Sequence, residues 1–151
     1  MKYVFKSDLL ASNRCEQRFA NWLQSKGMRN IYIVPNTEAI HDYDIKTSHD
    51  TYEIKFDRWF EKTGNICVET VSNNKTGSLG WFMLTKAKWL IVFYNETQFY
   101  GMSMDYLRDM WFKFPEIWRR LDVKQDTGYT TTCWLAPITE FIQIKTGDTT
   151  R

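Results

Sequence analysis

Between His41 and Phe56 the chain reads HDYDIKTSHDTYEIKF. Asp44 stands in the first part of this stretch, and Glu53 and Lys55 stand in the second with Ile54 between them. DYDIK and YEIKF, bracketed by the polar loop TSHDT, predict the two strands of a hairpin. Strand side chains alternate faces, so Tyr52, Ile54 and Phe56 point toward a core while Glu53 and Lys55 point together the other way. On the preceding strand Tyr43 and Ile45 form the apolar set and Asp42, Asp44 and Lys46 the polar one. Pairing the strands brings one carboxylate from each, and a lysine, to a single polar site. Two convergent carboxylates with nearby backbone carbonyls suit a hard, oxygen-seeking cation such as Mg²⁺. Such an ion polarises a phosphoryl oxygen and lowers the pKa of a bound water. A neighbouring lysine positions that water and stabilises developing negative charge. This is equipment for hydrolysing a phosphodiester.

The elements that must hold these residues follow from the surrounding pattern. Ser7 caps a helix that runs to about Lys26 and stops at Gly27, with Ala11, Cys15, Phe19, Trp22 and Leu23 on one face. NIYIVP at 30–35 predicts a short strand ended by Pro35, and GNICVETV at 64–71 another. SNNKTGSLG at 72–80 has the composition of a flexible loop. A short helix over WFMLTKAK leads into the buried strand WLIVFY and, after Asn95-Glu96, into TQFYGM. Ser103 caps a helix over MDYLRDMWFKF, and Pro115 starts a further helical turn through PEIWRRL. The expected fold class is therefore α/β or α+β, a mixed sheet with helices covering it.

Asp44 followed by Glu53-Ile54-Lys55, with eight residues between Asp44 and Glu53, resembles the D…(D/E)-x-K signature of the PD-(D/E)XK nuclease superfamily. Tyr43 replaces the usual Pro before the Asp. The element order resembles that superfamily's αβββαβ core over roughly residues 7–94, leaving a C-terminal extension at about 103–151 of a single domain spanning 1–151. CEQRFANWLQSKG is similar to the first helix of archaeal Holliday-junction resolvases, in which a Glu near the helix start helps bind metal. The resemblance implies that Asp44, Glu53, Glu16 and the carbonyl of Ile54 bind one or two Mg²⁺ (or Mn²⁺), that Lys55 orients the attacking water, and that cleavage leaves a 5′-phosphate. The segment from Thr63 to Tyr94 looks like small phage and bacterial members of the superfamily and brings Glu69 beside the E-x-K strand as a further ligand candidate. DNA is the implied partner, with a homodimer where both strands are cut. Trp111, Phe112 and Trp118 are candidates for the dimer or substrate surface.

Each residue also has a plainer reading. Glu16 three residues after Asn13 fits a capping box. Glu53 and Lys55 fit a solvated hairpin face. The whole fold also serves as a non-catalytic nucleic-acid-binding or structural module. Arg58 and Lys62 after the motif strand, Lys75 in the loop, Lys86 on the short helix and Arg119-Arg120 are phosphate-binding candidates that read no sequence. Trp59 and Trp81, in or beside polar loops, are the candidates for stacking on DNA. His41 and His49 flank the hairpin without zinc spacing, and His41 is a candidate general base only for a metal-independent reaction.

Composition sets the outer limits. With 151 residues, 43 % of them hydrophobic and 17 % aromatic, the chain supports one packed domain rather than a disordered segment. No apolar run approaches a membrane span, and MKYVFKSDLL has no secretory pattern, so a cytoplasmic protein in a bacterial or phage-infected cell is expected. Cys15, Cys67 and Cys133 are odd in number and widely spaced, which predicts free thiols. The net charge of +2 permits a nucleic-acid partner without demanding one. No small-molecule cofactor is expected.

Overall fold

A computed structural model describes residues 5–35, 42–141 and 143–151. The first element is a long helix, α1 (Phe5–Ser25). It starts before Ser7, so that residue lies inside the helix rather than capping it. The helix ends in a Schellman turn: Met28 N–H donates to the Leu23 carbonyl, Gly27 N–H donates to Gln24, and Gly27 takes the left-handed φ of 87°. Cys15, Phe19, Ala20 and Leu23 form its buried stripe.

Among the described residues ten strands make two sheets. The larger contains β1 (Tyr32–Ile33), β2 (Ile45–Lys46), β3 (Thr51–Phe56), β6 (Trp89–Phe93), β7 (Gln98–Ser103) and β10 (Lys145–Asp148), in the order β1-β2-β3-β6-β7-β10. Among the described strands only β3 and β6 run parallel, with Glu53 beside Leu90 and Lys55 beside Val92. A parallel pair needs a crossover. The crossover contains α2 (Phe60–Thr63), β4 (Asn65–Asn73), β5 (Ser78–Leu79) and α3 (Trp81–Leu84). The smaller sheet is antiparallel, β5-β4-β9-β8, and takes β8 (Arg119–Lys124) and β9 (Thr130–Pro137) from the C-terminal third.

The fold is thus a mixed α and β arrangement around a mixed sheet. β4 departs from the sequence expectation: it does not pair with the E-x-K strand but with β5 and β9. Alternation along a strand identifies its buried face without naming the strand that will sit beside it. The expected helix over WFMLTKAK is a single turn, and the turn begun by Pro115 is a 3₁₀ turn ending at Ile117. Arg119 and Arg120 therefore open a strand rather than close a helix. Ser103 does cap α4 (Met104–Lys113), its Oγ accepting the Tyr106 N–H at 3.3 Å.

Two apolar clusters line the two faces of the large sheet. On one, Phe19 of α1 meets Tyr52, Phe93 and Phe99 edge-on, with Ile45, Ile54 and Ile91 around them. Truncating Phe19 to Ala would cost about 3–5 kcal/mol. On the other, Leu90, Val92 and Met102 pack with Phe82, Leu107 and the inner face of the small sheet through Ile66, Val68 and Ala136. Trp118 belongs to this second core at 5 % exposure, so it offers no outer surface, whereas Phe112 on α4 is 83 % exposed. The three cysteines are free. No helix among the described residues is long and apolar enough to cross a membrane.

Candidate functional site

The strand β2 pairs with β3 only at Ile45–Tyr52 and Lys46–Thr51. Among the described residues no strand continues this pairing along β3, and Asp44 lies at the first position beyond it. The Asp44 N–H donates to the Tyr52 carbonyl at 2.9 Å, and Asp44 Oδ2 accepts the Ile54 N–H at 2.7 Å. The carboxylate stands where another strand's carbonyl would be. The Ile54 carbonyl leaves an extended strand on the same side as its N–H, toward this notch.

Glu53 and Lys55 alternate with the core-facing Tyr52 and Ile54, as the hairpin pattern predicts. Glu53 is buried, with one carboxylate oxygen 2.8 Å from Lys55 Nζ and the other accepting the Thr85 hydroxyl at 2.8 Å. Glu16 reaches the same place from α1, also buried. Since α1 begins at Phe5, Asn13 and Glu16 are mid-helix, and the capping-box reading is excluded. Glu69 arrives from the small sheet. Ile66, Val68 and Thr70 are the buried side of β4, so Glu69 shares the opposite face with Cys67. The Lys55 ammonium and the Trp81 backbone N–H both favour its ionised form.

Charge in this notch is poorly balanced. Burial and then the charge of Asp44 push the Glu16 carboxyl up to about 8, with Glu53 adding to the rise and Lys55 opposing it. Burial raises the Glu69 carboxyl as well. For Lys55, burial works against the charged form, yet Glu53 and Asp44 outweigh it and raise the pKa, so it is a firm ammonium. Two buried carboxyls raised by their surroundings beside one ammonium make the notch a candidate functional site.

The donors are all oxygen, which fits a hard divalent cation. Among the described residues no group of three such side chains is gathered in ligating geometry. Glu53 is occupied by Lys55 and Thr85, and Asp44 by Ile54, so holding an ion requires Glu53 to turn from Lys55. The all-oxygen donor set matches the chemistry of a hard divalent ion, which would relieve the negative charge gathered around Lys55.

The other predicted residues are placed elsewhere. Arg58 and Lys62 both lie over the ring of Trp59, at 5.6 and 5.2 Å, forming a separate cationic and aromatic patch after β3. Lys86 is exposed and pairs with Asp42 at 3.6 Å. Lys75 is exposed in the β4–β5 turn. Trp81 is half-buried, and its ring lies 4.9 Å beneath Lys55 Nζ. His49 is exposed in the hairpin loop, and His41 lies outside the described residues.

Three residues escaped the sequence reading. Thr85 ties Glu53 to the chain before β6 and also donates toward the Asp42 carbonyl at 3.1 Å. Arg108 of α4 donates to the carbonyls of Phe82 and Thr85, at 3.0 and 2.7 Å, fixing that segment from behind. Gly80 packs on Glu69 so closely that a Cβ would lie 2.3 Å from its carbonyl oxygen. A threonine between Leu84 and Ala87, or a glycine in a loop-like stretch, carries no local sign of such contacts. Comparison with models of protein families, with curated proteins and with solved structures gave no match.

Proposed function

We propose that the chain is a metal-dependent deoxyribonuclease of the PD-(D/E)XK class that hydrolyses phosphodiester bonds with Mg²⁺ or Mn²⁺. The observation that carries this reading is the notch itself: Glu16 from α1, Asp44 just before β2, and Glu53 and Lys55 from β3 interact with one another along one edge of β3. The succession of α1, β2, β3 and, after a crossover through α3, β6 parallel to β3 supports it, although β4, the strand expected third in the αβββαβ core, lies in the other sheet.

In this reading Asp44, Glu53, the Ile54 carbonyl and Glu16 hold the cation, and Glu69 contributes charge from the far side. The bound ion supplies an acidified water and a polarised phosphoryl oxygen. Lys55, kept as an ammonium, orients the attacking water and offsets charge developing on the phosphate; a firm ammonium is not a general base. Asp44 spends one oxygen on the Ile54 N–H, which fixes the direction of its carboxylate. Thr85 fixes one oxygen of Glu53, whose other oxygen is held by Lys55 and would have to be released to an ion. Arg58, Trp59 and Lys62 form the nearest candidate surface for the DNA backbone beyond the notch.

The second reading is a nucleic-acid-binding module without catalysis, favoured by the Lys55–Glu53 pair, which closes the site as it stands. The two separate on one variant. Lys55→Ala is expected to lose cleavage while binding labelled DNA as the wild type does. Retained turnover in Lys55→Ala would remove the proposed role.

A further inference from the structure

The Lys55 ammonium has two neighbours of different kinds, and they set different demands. It is 2.8 Å from a Glu53 carboxylate oxygen and 4.9 Å from the centre of the Trp81 ring. If Glu53 turns to a cation, its hold on Lys55 weakens. The lysine side chain is 32 % exposed, and its flexible stem would carry the charge out to water. A second carboxylate in that place would hold the ammonium but compete for the cation. An indole face attracts the ammonium without adding negative charge, and leaves the N–H groups turned from the ring free to bond a water.

The placement of Trp81 is built, not incidental. Its backbone N–H favours the ionised form of the Glu69 carboxyl. Gly80, which precedes it, presses on the Glu69 backbone at a distance no side chain allows, and donates its N–H to the Thr70 carbonyl at 2.9 Å. The ring packs edge-on against the fully buried Phe82, centroids 6.0 Å apart. The small sheet thereby reaches the notch through one aromatic ring.

We propose that Trp81 is a positioning residue for Lys55: its indole face, anchored through Glu69 and Gly80, keeps the ammonium at the notch when Glu53 turns to a cation. Trp81 thus joins the notch rather than a stacking surface for bases. The inference rests on the nuclease reading for its catalytic purpose and on the contact alone for its structural half.

Two measurements separate these. In metal-free protein labelled at lysine, the Lys55 side-chain methylene protons nearest the nitrogen are expected upfield from ring current, and Trp81→Leu is expected to return them to ordinary positions. In cleavage assays with Mg²⁺, Trp81→Leu is expected to lower kcat roughly 3- to 30-fold with little change in KM, and Trp81→Phe to recover part of the loss. Fluorinated tryptophans introduced at position 81 alone keep the shape and weaken the ring's negative face. Log kcat is expected to fall stepwise with fluorine count. Unshifted Lys55 methylenes in the wild type overturn the inference. So does a kcat that falls in Trp81→Leu but ignores fluorination, because packing alone would then explain the loss. Shifted methylenes in a wild type that cuts no nucleic acid overturn the nuclease reading, and the catalytic half of the inference with it.

Discussion

Replacing Gly80 by alanine tests how the small sheet is fastened to the notch. The backbone there is extended, φ −81° and ψ 168°, a conformation alanine adopts freely. On that ground alone the change would stabilise by roughly 0.4–1 kcal/mol, through the unfolded chain. Sterics decide otherwise. The new Cβ would meet the Glu69 carbonyl oxygen at 2.3 Å, its carbonyl carbon at 2.5 Å and its Cγ at 2.7 Å. Two of these atoms are backbone in a strand paired with β9, so they cannot swing aside as a side-chain tip can. The segment must open by about 1 Å, and overpacking of this kind costs typically about 1–3 kcal/mol or more. A net loss of about 2 kcal/mol would lower Tm by roughly 4–8 °C in a domain of this size. Thermal melts followed by circular dichroism measure it, with Gly101→Ala as control, since its Cβ meets the tip of Ile91 at 3.3 Å and the Lys145 carbonyl oxygen at an ordinary 4.0 Å. The same displacement moves Trp81 from beneath Lys55, so cleavage is expected to fall as well. A Gly80→Ala protein that melts at or above the wild type and cuts as fast would refute the packing described here.

Glu16 gives a pH prediction. Its folded-state carboxyl lies at about 8 against an ordinary 4.5, so the folded protein holds the proton more tightly than the unfolded chain. That stabilisation is complete below the unfolded value and is lost as pH rises toward and through about 8. In urea titrations with EDTA the wild type is expected to lose on the order of a few kcal/mol from about pH 5 to pH 9, while Glu16→Gln stays flatter; equal slopes would show that Glu16 is not the buried acid. Thr85→Val removes the hydroxyl that holds Glu53 and leaves the Ala87 N–H without its acceptor. It is expected to cost about 1–3 kcal/mol in unfolding and to slow cleavage. A Thr85→Val protein unchanged in both would contradict the assigned role.

The hairpin was legible in the sequence because alternation is a local signal: Tyr52 and Ile54 turned inward and Glu53 and Lys55 the other way, as their spacing requires. Glu16 was legible as a carboxylate at the edge of a helical stripe, and α1 does carry it to the sheet. What stayed hidden was long-range. Glu69 was expected beside β3, yet β4 lies in another sheet and only its side chain comes back toward Lys55. Trp81 read as exposed because SNNKTGSLG before it is polar, but the ring's place is set by Glu69, Gly80 and Phe82. Residues 119–137 read as an appendage, and β8 and β9 instead complete the sheet that carries Glu69. Partners chosen between distant strands leave no periodicity in either one.

The central claim is that the notch at the edge of β3 cuts nucleic acid with a divalent cation. The most direct measurement is cleavage of labelled linear duplex, single strand, Y-fork and four-way junction with Mg²⁺, Mn²⁺ or EDTA, beside Glu53→Ala prepared identically. The account predicts cutting that needs the metal, disappears in EDTA and is absent from Glu53→Ala. Binding without cutting in either metal, or cutting that survives the loss of Glu53, would contradict it.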